Sequence, residues 1–106
     1  MVDGTANNDT FRATDATYNT GDEINGSGGT DKLNLTMAGA NTALVDVAGV
    51  EQVYIRDVQG VTVNASAWSG VEQIWTDRST ENLTVTNVDS AVALGLNGTT
   101  SNLDVT

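Results

Sequence analysis

Two glycine-rich turns hold the residues best suited to chemistry: GTANNDTF at 4–11 and GSGGTDKL at 26–33. Such turns cradle phosphates in some proteins and metal ions in others. A phosphate loop needs G-x-x-x-x-G-K-[ST] opening a helix. Here Lys32 follows Asp31, and strand-like alternation follows Lys32. A helix–loop–helix calcium loop fails too: counted from Asp22, its twelfth position is Leu33 rather than Glu. Glu51 and Glu72 make a carboxylate pair of the kind glycosidases use. Their spacing, 72 − 51 = 21 residues, has a simpler source in the repeat described below. They are expected to be structural and to cap turn amides. The chain has no histidine and no cysteine. That removes the commonest general base, the usual hydrolase triads and thiolate metal sites. No catalytic residue is expected, and the chain is read as a non-enzyme.

Composition narrows the partners. The 106 residues suffice for one domain with a modest core. Lys+Arg is 4 against Asp+Glu 14, a formal net charge of −10. Phosphates and anionic membranes would be repelled, so nucleic acid is not expected and cations are favoured. No stretch approaches the roughly 18 apolar residues of a membrane span. MVDGTANNDT has neither the basic start nor the apolar run of a signal peptide. Met1 is read as an expression addition, and the chain as a piece of a larger protein.

The elements that must position these residues follow from an internal repeat. GVEQVYIRD begins at Gly49 and GVEQIWTDR at Gly70, an offset of 70 − 49 = 21. The frame extends both ways: Phe11, Leu33, Val53, Ile74 and Leu94 form one series. Ahead of each lies a turn position, at Asn7, Gly29, Gly49, Gly70 and Ser90, and between them lie Asp9, Asp31, Glu51, Glu72 and Val92. A second series, VTVNA at 61–65, LTVTN at 83–87 and LDVT at 103–106, lies half a period away, with ALVDV at 43–47 as a weaker first member. All alternate with period two, as half-buried strands do. Residues 37–50 come nearest to a helical period, but Gly39, Asn41 and Gly49 spoil it.

A near-constant step with like residues at like positions predicts stacked coils. The expected fold is all-β: a right-handed parallel β-solenoid (β-roll or β-helix) of about five coils, two strands per coil, with two sheets facing each other. The alternative is an antiparallel β-sandwich. Phe11, Leu33, Val53, Ile74 and Leu94 would form one inward ladder. Leu35, Ile55, Thr76 and Leu96 would form its neighbour, and Val63, Val85 and Val105 would line the facing sheet. Tyr54 and Trp75 share one outward position (75 − 54 = 21). They could receive a sugar ring or a neighbouring subunit, or be covered by a loop or fill a crevice. Trp68, equivalent to Val47, reads as a core plug in a turn. LDVT ends the sequence on a strand, so that end is expected to continue a longer solenoid or to self-associate.

The two glycine turns share a frame, with Gly4 and Gly26, Asp9 and Asp31, and Phe11 and Leu33 each 22 apart. This pattern resembles the calcium-binding repeat of the repeats-in-toxin (RTX) family, G-G-x-G-x-D-x-apolar. With GTDKLNLT followed by repeated GVE, the chain is similar to the β-solenoids of bacterial surface-layer proteins and RTX-like adhesins. It departs from them in holding two such turns one coil apart rather than a long nine-residue array. The resemblance implies one module over 1–106, with calcium-binding coils at 1–36 and GVE coils at 37–106. It implies a secreted or cell-surface location and a mechanical role as spacer or lattice unit. The implied metal residues are Gly4, Asn8, Asp9, Asp22, Gly26, Gly29 and Asp31, with Asp3 and Asn25 nearby. Calcium takes six to eight oxygens, and glycine turns expose carbonyls. Stacked turns would set Asp9 beside Asp31, where the carboxylates repel unless a cation lies between them. The rival function is an adhesin or glycan-binding module using the Tyr54/Trp75 face.

Overall fold

Runs of β-branched and aliphatic residues at every second position form strands whose apolar side is buried. In Lys32–Met37, the inward positions Leu33, Leu35 and Met37 are buried while Lys32, Asn34 and Thr36 face out. The computed structural model describes residues 2–39, 43–89, 91–99 and 101–106, and no helix occurs among them. The strands are β1 (Val2–Asp3), β2 (Thr10–Thr14), β3 (Glu23–Asn25), β4 (Lys32–Met37), β5 (Asp46–Ala48) and β6 (Gln52–Asp57), then β7 (Thr62–Asn64), β8 (Trp68–Ser69), β9 (Gln73–Asp77), β10 (Leu83–Thr86), β11 (Ala93–Asn97) and β12 (Leu103–Val105). Every pairing is parallel and joins strands one coil apart. The fold is an all-β solenoid of about five coils.

The coils are lined by three sheets rather than two. A long sheet runs β11-β9-β6-β4-β2, an entry sheet β1-β3-β5-β8, and an exit sheet β12-β10-β7. The first two coils use the entry and long sheets, the last uses the long and exit sheets, and the third and fourth use all three. The chain between successive long strands is long enough to turn two corners, and each corner can start a strand. This corrects the placing of ALVDV: β5 belongs to the entry sheet, where Val47 pairs with Trp68 and not with Val63. Trp68 itself lies in a short strand, half-buried against the core.

The inward ladders have the expected register. Phe11, Leu33, Val53, Ile74 and Leu94 are successive partners, as are Leu35, Ile55, Thr76 and Leu96, and Val63, Val85 and Val105. Leu33, Val53, Ile55, Ile74, Val63 and Val85 are buried. Each such side chain contributes about 1.5–3 kcal/mol through removal from water. Thr76 is the polar rung, and its hydroxyl donates to Ser79 Oγ at 2.6 Å. In the last coil the same ladder positions are open: Leu94 is 52% and Leu96 62% exposed. Residues 103–105 pair alongside β10 and so continue the stack.

Candidate functional site

The acidic column lies where the entry sheet turns into the long sheet. Strand register stacks Gly4, Gly26, Gly49 and Gly70 just after β1, β3, β5 and β8. The sequence frame had aligned Gly29 with Gly49. The difference is three residues: four residues separate Gly26 from Asp31, but one separates Gly49 from Glu51. Gly29, Gly49 and Gly70 have left-handed backbones, with φ of 91°, 67° and 78°, whereas Asn7 does not. Ser90, the last member of that series, lies outside the described residues.

Backbone amides hold this column together. The Asp9 N–H donates to Asp31 Oδ1 at 2.7 Å, and the Asp31 N–H donates to Glu51 Oε2 at 2.7 Å. Each carboxylate thus caps the turn one coil earlier through a charge-assisted hydrogen bond. Glutamate's extra methylene supplies reach where the turn is three residues shorter. At the first turn, Asp9 Oδ2 accepts the Thr5 N–H at 2.6 Å, and the Thr5 hydroxyl lies 3.2 Å from Oδ1 and 3.1 Å from Oδ2. Glu51 caps as expected. Glu72 is exposed, and among the described residues its carboxylate has no such partner.

One atom in the column is unmatched. Asp31 is 0% exposed, and its Oδ2 has no hydrogen-bond partner among the described residues. At the first turn the equivalent oxygen takes a turn amide. Here the Ser27 N–H goes instead to Asn25 Oδ1 at 3.1 Å, and Ser27 adopts φ 66°. Asp31 Oδ2 and the Gly49 carbonyl oxygen crowd the point where a Gly26 side chain would begin. Both oxygens pack against the Gly26 Cα, and the corresponding pair, the Gly26 carbonyl oxygen and Asp9 Oδ2, packs in the same way against Gly4. Asp31 Oδ2 and the Gly49 carbonyl oxygen are of the type calcium takes, two of the six to eight oxygens it needs, and Asp31 Oδ2 alone of the two aspartate oxygens lacks a donor.

The other implied ligands serve the turns. Asn8 Oδ1 accepts the Thr30 N–H at 2.8 Å, which ties the two glycine loops together, and Gly29 packs on the Asn7 backbone. Asp22 lies at the opposite end of β3, where its Oδ2 accepts the Asn19 N–H at 2.9 Å. Among the described residues, no three acidic side chains gather at one point.

Tyr54 and Trp75 are successive partners on the outer face of the long sheet. Their rings are 5.5 Å apart and parallel to within 4°. The Lys32 ammonium lies 4.3 Å from the Tyr54 ring centroid, and the Trp75 indole N–H donates to Gln73 Oε1 at 3.0 Å. A side chain on Gly95 would fall within 2.6 Å of three consecutive indole atoms, so the indole face rests on that glycine. The column therefore runs cation, phenol, indole, glycine. Both faces of Tyr54 and both faces of Trp75 are occupied by the protein itself.

Two features escaped the sequence reading. Asp57 is buried, and its carboxylate accepts the N–H groups of Gln59, Gly60 and Val61, each at 2.8 Å. The D-V-Q-G turn at 57–60 was the available signal, since Asp organises such turns through its own side chain. Tyr18, in a polar loop, is 2% exposed, and its hydroxyl accepts the Trp68 indole N–H at 3.0 Å. That bond reaches from the first coil to the fourth. Burial pushes the Tyr18 phenol up to about 12, against a smaller downward pull from the Trp68 hydrogen bond. No local pattern announces it.

Fold and column together define a class, a parallel β-solenoid whose corners are capped by carboxylates. No family model, no curated protein and no solved structure matches the chain. No helix among the described residues is long and apolar enough to cross a membrane.

Proposed function

We propose that this chain is a non-enzymatic structural module, a rigid spacer or lattice unit of a secreted bacterial surface-layer or RTX-like protein, stiffened by calcium. Stacked parallel ladders give a rod that resists bending because each coil is hydrogen-bonded to the next. The open Leu94 and Leu96 rungs give that role a joining surface, which a further coil of this or another molecule would cover. The observation that carries the calcium part is the unmatched, buried Asp31 Oδ2 beside the Gly49 carbonyl. Asp31 and Gly49 would hold the ion. The Asp9 carboxylate is already engaged by Thr5, so the ion would sit at the second turn and not midway between the two aspartates.

A bound calcium would neutralise the buried oxygen and relieve part of the self-repulsion of a −10 chain. A site with so few protein ligands would be weak, at roughly the 10⁻⁴–10⁻³ M of extracellular calcium modules. It would fill outside a cell and empty inside. At about a hundred times the dissociation constant, binding stabilises the fold by about 2.7 kcal/mol. Thermal unfolding with calcium, with magnesium and with a chelator tests this. Calcium should raise the midpoint, and magnesium, which demands a tighter octahedron, should do much less. Asp31→Asn replaces the unmatched oxygen with a donor and should remove the calcium increment while remaining folded. A midpoint indifferent to millimolar calcium would reduce the glycine turn to scaffolding.

A further inference from the structure

All four basic residues of this acidic chain lie on or beside one surface. Arg12, Lys32 and Arg56 point outward from β2, β4 and β6 of the long sheet, and Arg78 follows β9. The one acidic residue at an outward position of that sheet is Asp77. The outward positions of the sheet thus carry 3 − 1 = +2, and the rest of the chain carries Arg78 and the other 13 acids, or −12; together they give −10. Such segregation is not required by the fold, since outward positions on all three sheets tolerate either charge.

Three of these cations converge. Arg12, Arg56 and Arg78 line a groove of about 390 Å³ on the outside of the long sheet. Arg78 pairs with Asp77 at 3.5 Å. Among the described residues, Arg12 and Arg56 have no ion pair, in a chain with 14 carboxylates. Thr14, Thr17, Asn34, Thr36 and Tyr54 also line it, and its one carboxylate is Asp77, on the Arg78 side of the groove. The groove falls within the volume range of small-ligand sites, roughly 300–1,000 Å³.

We propose that this groove binds an acidic sugar, a uronic-acid residue of a glycan chain, with its carboxylate between Arg12 and Arg56. Guanidinium forks match a carboxylate in two parallel hydrogen bonds. Threonine hydroxyls and an asparagine amide both donate and accept, as sugar hydroxyls require. The Tyr54–Trp75 column serves as a wall that keeps Tyr54 upright, not as a stacking platform, because its ring faces are largely taken. Charge density separates this ligand from nucleic acid. A duplex places one phosphate charge per about 1.7 Å, and its length would run past the basic face into the field of the acidic remainder. A glycan spaces its charges by whole rings. A short stretch stays within the groove while the acidic surfaces beyond about 8 Å are screened at physiological salt. The site stands apart from the spacer role and does not depend on calcium.

The test is calorimetric titration in chelator, using a uronic-acid trisaccharide, a neutral trisaccharide of the same linkage, inorganic sulfate and a short oligothymidylate. The uronide should bind, with the neutral sugar at least about tenfold weaker. Arg12→Gln and Arg56→Gln should each weaken uronide binding about tenfold with an unchanged melting midpoint. Arg78→Gln should have a smaller effect, because Asp77 already holds that side chain. Equal binding of the neutral sugar, sulfate binding as tightly as the uronide, or tight oligothymidylate binding would overturn the proposal. So would uronide binding indifferent to both arginine variants. Absence of glycan binding together with concentration-dependent self-association lost in Arg56→Gln would assign the face to a second copy of the chain. None of these outcomes bears on the calcium response of Asp31.

Discussion

The first two coils and the third and fourth carry the same plan with different corners. In the first two, four residues separate glycine from acid, the acid is Asp, and the chain returns to the entry sheet without an exit strand in the first coil. In the third and fourth, one residue separates them, the acid is Glu, and an exit strand follows each long strand. Across both halves, Leu33, Val53 and Ile74 remain partners on one buried ladder. The difference teaches that the ladder is the conserved quantity and the corner is adjustable. Three residues can be removed from a turn if one methylene is added to the carboxylate that caps its neighbour. The long turn differs in one further respect: it leaves a buried carboxylate oxygen without a donor, and the first turn, of equal length, does not.

The sharpest way to break this comparison is to attack what the two halves share. Val53→Asp places a charge on the common ladder with no partner, and should cost on the order of 4 kcal/mol. Gln52→Asp, one residue away on the outer face, should change stability by less than about 0.5 kcal/mol. Chemical denaturation of both variants measures the contrast. Similar losses at the two positions would mean that inward and outward parity does not govern the fold.

A smaller effect probes whether the two halves act as one body. Tyr18 in the first coil and Trp68 in the fourth are joined by a hydrogen bond. The Tyr18 phenol is raised from its ordinary 10.0 to about 12 in the folded chain. Below pH 10 the phenol is neutral both folded and unfolded, and the full stability is present. Between about pH 10 and 12 the unfolded chain releases this proton while the folded chain keeps it. Stability therefore falls across that window and levels off above it. A shift of about two units corresponds to a loss of about 3 kcal/mol. Tyr18→Phe should flatten this part of the pH profile in urea unfolding measured from pH 9 to 12. An unchanged alkaline slope in that variant would assign the loss to other groups.

The smallest expected effect compares the corners themselves. In chelator, Glu51→Ala strips the acceptor from the Asp31 amide and should cost about 1–2 kcal/mol. Glu72→Ala removes an exposed carboxylate without such a bond and should fall within about 0.5 kcal/mol of the parent chain. Denaturant midpoints at constant slope give the comparison. Equal costs would show that the cap at Glu51 contributes no more than surface charge does.

Much of this was readable in advance, for identifiable reasons. The pairing of Phe11, Leu33, Val53, Ile74 and Leu94 was legible because a two-residue side-chain period and a step of 20 to 22 leave one consistent register. The glycine–acid corners were legible as sites of special backbone and charge. Their wiring was not. Asp9 and Asp31 read as two carboxylates in need of a cation, yet the amide of one binds the carboxylate of the other. Nothing in the sequence states which turn amides point across coils. Likewise, the sequence left Tyr54 and Trp75 either open to a ligand or covered, and Lys32 and Gly95, neighbours only through stacking, close the column at both ends.

The sequence by itself determined the strand content, the coil repeat and which side chains face the core, because these depend on local alternation and a nearly constant step. Only the tertiary structure decided that Gly26 stacks on Gly49, that Asp31 keeps one buried oxygen without a partner, and that Arg12, Arg56 and Arg78 meet in one groove. Those three facts depend on how far each corner travels before its strand begins. Corner length shifts one sheet's register against another's by a few residues, and a shift of that size changes neither the alternation nor the average period from which a sequence is read.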